Sequence, residues 1–101
     1  MSQFVSVADA ASLPPGEGRT VAVNGLLFAL WNLDGEFFCV DDTCPHRGGP
    51  LGAGTLENGL ICCPLHGWRF DVRTGTCVER ADKPVKCYPT RVVDGQVQVL
   101  V

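Results

Sequence analysis

An all-β fold is predicted for this chain of 101 residues by three observations. Four dipeptides, Asn24-Gly25, Asp34-Gly35, Asn58-Gly59 and Asp94-Gly95, punctuate it as hairpin turns, because Asn, Asp and Gly tolerate the positive φ that tight two-residue loops require. Thr74-Gly75 marks a further turn between short strands. Only one segment, Ala8 to Leu13, reads as a helical turn, and Pro14-Pro15-Gly16 closes it at once.

In chain order the turns delimit the strands. A first strand is expected near 3 to 7, before the helical turn. The first two hairpin turns then separate strands near 19 to 24, 26 to 33 and 36 to 40. After a loop-rich stretch, strands are expected near 60 to 63, 68 to 72 and 76 to 78. The chain closes with strands near 85 to 93 and 96 to 100, joined at Asp94-Gly95. There is no linker, repeat or low-complexity stretch, and this length has room for one domain with one modest core.

Composition narrows the function. The net charge of −3 argues against generic nucleic-acid binding and suggests a basic docking surface on partners. No apolar run is long enough to span a bilayer, and the start, Met-Ser-Gln-Phe-Val, lacks the basic and apolar regions of a signal peptide, so a cytoplasmic location is expected. In that setting six cysteines do not imply disulfides. Cys39, Cys77 and Cys87 lie in apolar or strand-like stretches and are expected to be small buried hydrophobes. A reversible bridge between Cys39 and Cys62 is a speculative addition. No Gly-x-Gly-x-x-Gly stretch offers a nucleotide site.

Chemistry concentrates in two short motifs, Cys44-Pro45-His46 and Cys63-Pro64-Leu65-His66, separated by the sixteen residues from 47 to 62. They use both histidines of the chain. Glycine follows each, Gly48 and Gly49 in the first and Gly67 in the second, which lets backbone N–H groups turn toward an anionic centre. Two thiolates and two imidazoles suit either one tetrahedral zinc or one [2Fe-2S] cluster of mixed ligation, and spacing does not decide between them. Cys62 precedes Cys63 directly. At the end of a strand the two should face opposite ways, and Cys63 is the one with the Cys-x-x-His spacing. Asp41 and Asp42, before the first motif, read either as an acidic patch or as ordinary strand-end carboxylates. Trp68 and Trp31 are both expected to serve packing, while a second reading of Trp68, with Leu51 and Leu65, is a screen that keeps water from the metal site or an apolar ring that docks a partner.

The motifs with their flanks, Cys44-Pro-His46-Arg-Gly-Gly-Pro-Leu-Gly and Cys63-Pro-Leu-His66-Gly-Trp-Arg-Phe, resemble the two cluster-binding loops of Rieske [2Fe-2S] proteins, most closely the small Rieske-type ferredoxins. Asp71-Val-Arg-Thr-Gly75, Tyr88-Pro89 and Val92 to Val99 resemble strands of that family, so the likeness covers most of the chain. It implies a stack of small antiparallel sheets over residues 1–101, with a cluster-binding subdomain at about 42–80 and Lys83-Pro84 in a third, covering loop. It implies one [2Fe-2S] cluster, with Cys44 and Cys63 on one iron and His46 and His66 on the other. Formal charges of two ferric irons, two sulfides and two thiolates then sum to zero, which eases reduction relative to a four-cysteine cluster, with potentials of about −150 to +300 mV against roughly −400 mV.

Within that range the resemblance implies a low potential. High-potential members carry an extra cysteine in each loop, forming a disulfide, where this chain has Gly49 and Leu65. They also place hydroxyl donors where Trp68 and Phe70 stand, and fewer hydrogen bonds to sulfur stabilise the reduced cluster less.

The function implied is a monomeric one-electron carrier, itself not an enzyme, passing electrons from a flavin-dependent ferredoxin reductase to a terminal oxygenase or other redox enzyme. Two other readings stand beside it: the small subunit of a larger redox enzyme such as assimilatory nitrite reductase, and a zinc-stabilised interaction module. A complete oxygenase is excluded, since its iron centre needs two further histidines and none remain.

Overall fold

The computed structural model describes residues 3–101 and contains ten strands in three antiparallel sheets. Every hairpin turn expected from the sequence forms. Asn24, Asp34, Asn58 and Asp94 have φ between 49° and 53°, each followed by a glycine with φ above 70°. That pair of left-handed residues twists the chain in the sense the flanking strands require.

The first sheet is built from the two ends of the described chain. β1 (Phe4–Asp9) pairs with β10 (Gln96–Leu100), which also pairs with β9 (Thr90–Val93). The second sheet has the order β2 (Gly18–Val23), β3 (Leu26–Leu33), β4 (Glu36–Asp41) and β8 (Cys87–Tyr88). β2 and β3 are in register from Gly18 opposite Trp31 to Val23 opposite Leu26. A Cβ on Gly18 would sit 2.3 Å from the Trp31 indole, so the glycine is what allows that ring to lie across the neighbouring strand.

The third sheet, β5 (Thr55–Glu57), β6 (Leu60–Cys62) and β7 (Arg69–Asp71), is small, with three residues in each strand. A strand this short holds by what it buries. Ile61 and Phe70 face each other across β6 and β7 and are both fully buried. They join Leu51, Val72, Cys77, Val85 and the second-sheet residues Ala29, Trp31 and Val40 in one core. A second core, containing Leu13, Phe28, Leu30, Cys39, Val97 and Val99, joins the first two sheets.

The structure corrects several expectations. The strand expected at 85 to 93 is two strands in different sheets. Pro89, which has no N–H to give a ladder, stands where the chain crosses between them. At 76 to 78 there is a single bridge, Phe70 to Cys77. There the Arg69 N–H donates to the Glu79 side chain at 2.7 Å, so a carboxylate replaces the backbone carbonyl that would extend a ladder. The helical turn is a short 3-10 segment, Ala10–Ser12, because β1 continues to Asp9. β5 and a second 3-10 turn at Leu51–Ala53 were not expected.

Cys39 and Cys77 are buried as expected, while Cys87 is half-buried. Cys39 and Cys62 are both free. Cys39 packs in the second core, whereas Cys62 lines an outer groove of the third sheet with Thr55 and Arg69. No helix among the described residues is long and apolar enough to cross a membrane.

Candidate metal centre

Two loops leave the ends of β4 and β6 and share one hydrogen-bond pattern. In the first, the Cys44 N–H donates to the Gly49 carbonyl at 2.9 Å and the Gly48 N–H donates back to Cys44 at 2.8 Å. In the second, the Cys63 N–H donates to Trp68 at 2.8 Å and the Gly67 N–H donates back to Cys63 at 3.1 Å. The glycine four residues after each cysteine has φ of 76° or 73°, a left-handed conformation that reverses the loop at little cost only without a Cβ. Matched in this way, position three of the loop is His46 in one and Leu65 in the other, and position four is Arg47 and His66. The unequal Cys-to-His spacings are thus two side-chain choices on one backbone design.

The four expected site residues come together. Cys44 and Cys63 are buried at the loop bases, close enough for Cys63 to act on the ionisation of Cys44. The Cys44 thiol is pushed up by burial, while the backbone N–H groups of His46 and Arg47 donate to its sulfur and pull the other way. The His46 and His66 rings are 4.8 Å apart, nearly perpendicular. Burial first, then His66 and Arg47, lowers the pKa of His46 and favours the neutral imidazole that a metal requires. As expected, Cys62 is directed away from this cluster, into its own groove.

The donor set and its surroundings suit a metal centre. The Nδ1 atom of His46 is buried and has no hydrogen-bond partner, which is costly unless something else occupies its lone pair. A Cβ at Gly49 would lie 2.7 Å from the Cys63 sulfur and 3.0 Å from Leu65, so this glycine keeps the space beside the thiols clear.

Two supports were only partly legible in the sequence. Trp68, read as packing or as a screen over the site, lies with its indole flat on His46, with centroids 4.3 Å apart and planes 8° from parallel. Asp42 is not part of an acidic patch. It is 2% exposed and accepts hydrogen bonds from the Thr20 hydroxyl and the Gly52 N–H, both at 2.8 Å. It ties the first loop to β2. Asp41 is likewise engaged, by the Tyr88 hydroxyl at 2.7 Å and the Lys86 N–H at 3.1 Å. The sequence signal that does foretell the paired loops is glycine at the fourth place after each cysteine.

Comparison with known proteins adds the family. The model of the Rieske [2Fe-2S] domain matches residues 3–89. The chain belongs to this family. One relative, the 3-phenylpropionate/cinnamic acid dioxygenase ferredoxin subunit of Photorhabdus laumondii, is 41% identical over the whole chain and 96% of its own length. Among solved structures, a chain from the complex of reduced oxygenase and oxidised ferredoxin in carbazole 1,9a-dioxygenase superposes with a TM-score of 0.88. It is 32% identical and covers 95% of this chain and 91% of that one. A Mycobacterium tuberculosis protein provisionally described as an NADH-dependent nitrite reductase small subunit superposes at 0.92, with 25% identity over the full chain and 96% of its own. Membership in the Rieske family implies one [2Fe-2S] cluster.

Proposed function

We propose that this Rieske protein is a soluble, cytoplasmic, monomeric electron carrier, residues 1–101 forming one domain. It accepts one electron from a flavin-dependent ferredoxin reductase and delivers it to a terminal oxygenase. Cys44 and Cys63 would hold one iron through thiolates, and His46 and His66 the other through imidazoles. When bound, the cluster supplies reversible one-electron storage near neutral formal charge. The chain's own residues do the rest. The His46 and Arg47 N–H groups donate to the Cys44 sulfur, Asp42 anchors the first loop, and Trp68 fixes the plane of one imidazole.

The observation that carries the reading is the convergence of two buried thiols and two imidazoles, one with an unpartnered buried nitrogen, on paired loops of a dioxygenase-ferredoxin relative. The subunit reading shares the same fold and keeps support from the nitrite reductase likeness, but the more identical relative is a dioxygenase ferredoxin. A low potential is expected, because Phe70 is fully buried in the core and Trp68 stacks on His46, where high-potential members offer hydroxyls.

Electron paramagnetic resonance of the dithionite-reduced protein, with iron, sulfide and zinc analysis, tests this. A rhombic Rieske-type signal with two irons and two sulfides per chain is expected, unchanged in Cys62→Ser and lost in Cys63→Ser. A silent sample with one zinc would overturn the reading.

A further inference from the structure

Charge is unequally distributed between the two ends of the molecule. Residues 43–50 and 63–68, the two loops, carry a single formally charged side chain, Arg47. It is exposed, acts electrostatically on His46, and makes no salt bridge among the described residues. A guanidinium stays charged at every working pH.

No acid stands beside it in either loop. Asp42 keeps its charge but is buried beneath the first loop with two neutral hydrogen-bond donors, and Asp41, at the end of β4, lies against Tyr88, whose ring carries the oppositely charged Lys86 at 5.1 Å. Arg69 is neutralised by Glu79 and Arg80 by Asp82, at 2.7 and 2.8 Å.

A group of acids lies at the other end. β3 has Leu27, whose carbonyl accepts the Asp42 N–H beside the first loop, near its start and ends at Leu33 and the Asp34-Gly35 turn. β6 likewise starts at the Asn58-Gly59 turn and ends next to Cys63. The Asp34 and Asn58 turns share a groove with Gly16 and Arg73; Glu17 and Glu57 are next in the chain to Gly16 and Asn58, and Glu36 pairs with Arg73 at 3.9 Å. Glu17, Asp34, Glu36 and Glu57, four acids against the one Arg73, carry a charge of −3 at this end, remote from the cluster loops.

From this we infer that the loop tip is a locally cationic docking face, fitted to a redox protein with carboxylates around its own electron-transfer centre. This rests on the electron-carrier reading and reverses the partner charge that net composition suggests. Leu65, 55% exposed on the second loop, supplies the apolar contact, and Arg47 pairs with the partner's acids.

Stopped-flow reduction of the oxidised protein by two small probes of opposite charge tests the local field without any partner. The dithionite-derived SO2 radical anion and the methyl viologen radical cation each give one electron, becoming SO2 and the viologen dication. The cluster goes from a formal charge of zero to minus one. Salt screens whichever charge the probe meets. Raising the ionic strength should slow the anionic reductant severalfold and speed the cationic one. Arg47→Gln should flatten both dependences and Arg47→Glu invert them, while Arg47→Lys retains them. Asp34→Asn, which changes net charge by the same one unit at the far end, should leave them as they are.

Dependences in the parent protein that follow its net charge would overturn the proposal, as would an Asp34→Asn effect equal to that of Arg47→Gln. If Arg47→Glu loses its cluster absorbance, Arg47→Gln decides. Failure of the electron-carrier reading is distinct, because neither probe would then produce any absorbance change in the parent, and the proposal would fall with it.

Discussion

His46 and His66 occupy different steps of two loops with the same backbone hydrogen bonds, and their surroundings differ accordingly. His46 is half-buried under the Trp68 indole, whereas His66 is exposed. The place matching Trp68 in the first loop is Gly49, where any side chain would press on the Cys63 sulfur. The centre is thus covered on one side and open on the other. Asp42 is the other residue whose role is set by its surroundings. Its buried carboxylate is the acceptor for the Gly52 N–H, and Gly52 is itself required where a Cβ would meet Thr20 Oγ1 at 2.5 Å. Asp42→Ala leaves that buried donor without a partner and should lower the unfolding free energy by about 2 kcal/mol, measured by urea denaturation. Asp42→Asn, which keeps an acceptor oxygen, should recover most of the loss.

At the scale of elements, the hairpin turns were legible because Asn-Gly and Asp-Gly act within two residues, whatever lies around them. The segment after β7 was less so. Its course is set by Gly75, whose N–H donates to Asp71 at 2.7 Å and whose carbonyl accepts the Val85 N–H at 2.9 Å. Gly75 has φ of 80°, and a Cβ there would lie 2.0 Å from the Val85 carbonyl oxygen. Backbone cannot yield as a flexible side chain does. Gly75→Ala should therefore destabilise the protein by about 2 kcal/mol or more in thermal or urea unfolding, beyond the roughly 1 kcal/mol that left-handed backbone alone costs. Because Val85 packs in the core that holds Cys44 and Cys63, cluster retention should fall as well.

Across the whole molecule, two cores share the work. One lies under the loops and the other joins the sheets that carry the two ends of the described chain. Cys39 belongs to the second, and burial, with Asp41 and Cys87 adding to it, pushes its thiol up from 9.0 to about 12. An acid whose folded pKa is raised binds its proton longer in the folded state than in the unfolded one. Its contribution is fully present below pH 9, and stability falls as pH climbs from about 9 to 12. The slope expected from one such group is about 1.4 kcal/mol per pH unit. Tyr88, raised in the same direction by burial and by its bond to Asp41, adds to the loss from about pH 10 upward. Urea unfolding at a series of alkaline pH values checks this, and Cys39→Ala should make the dependence shallower.

By itself the sequence determined the all-β class, the hairpin turns, the family and the four candidate ligands. These depend on residues a few places apart, where backbone preference and ligand spacing act locally. Tertiary structure decided what depends on segments distant in the chain. It turned Asp42 inward, because Thr20 and Gly52 meet there, and laid Trp68 on His46, because the two loops are brought face to face. It also divided Thr90–Val93 from Cys87–Tyr88 between two sheets, because each segment pairs with a different distant strand. The placing of Arg47 opposite the acidic turns is of the same kind, since net charge is a sum along the chain and the field at a docking face depends on where each charge stands.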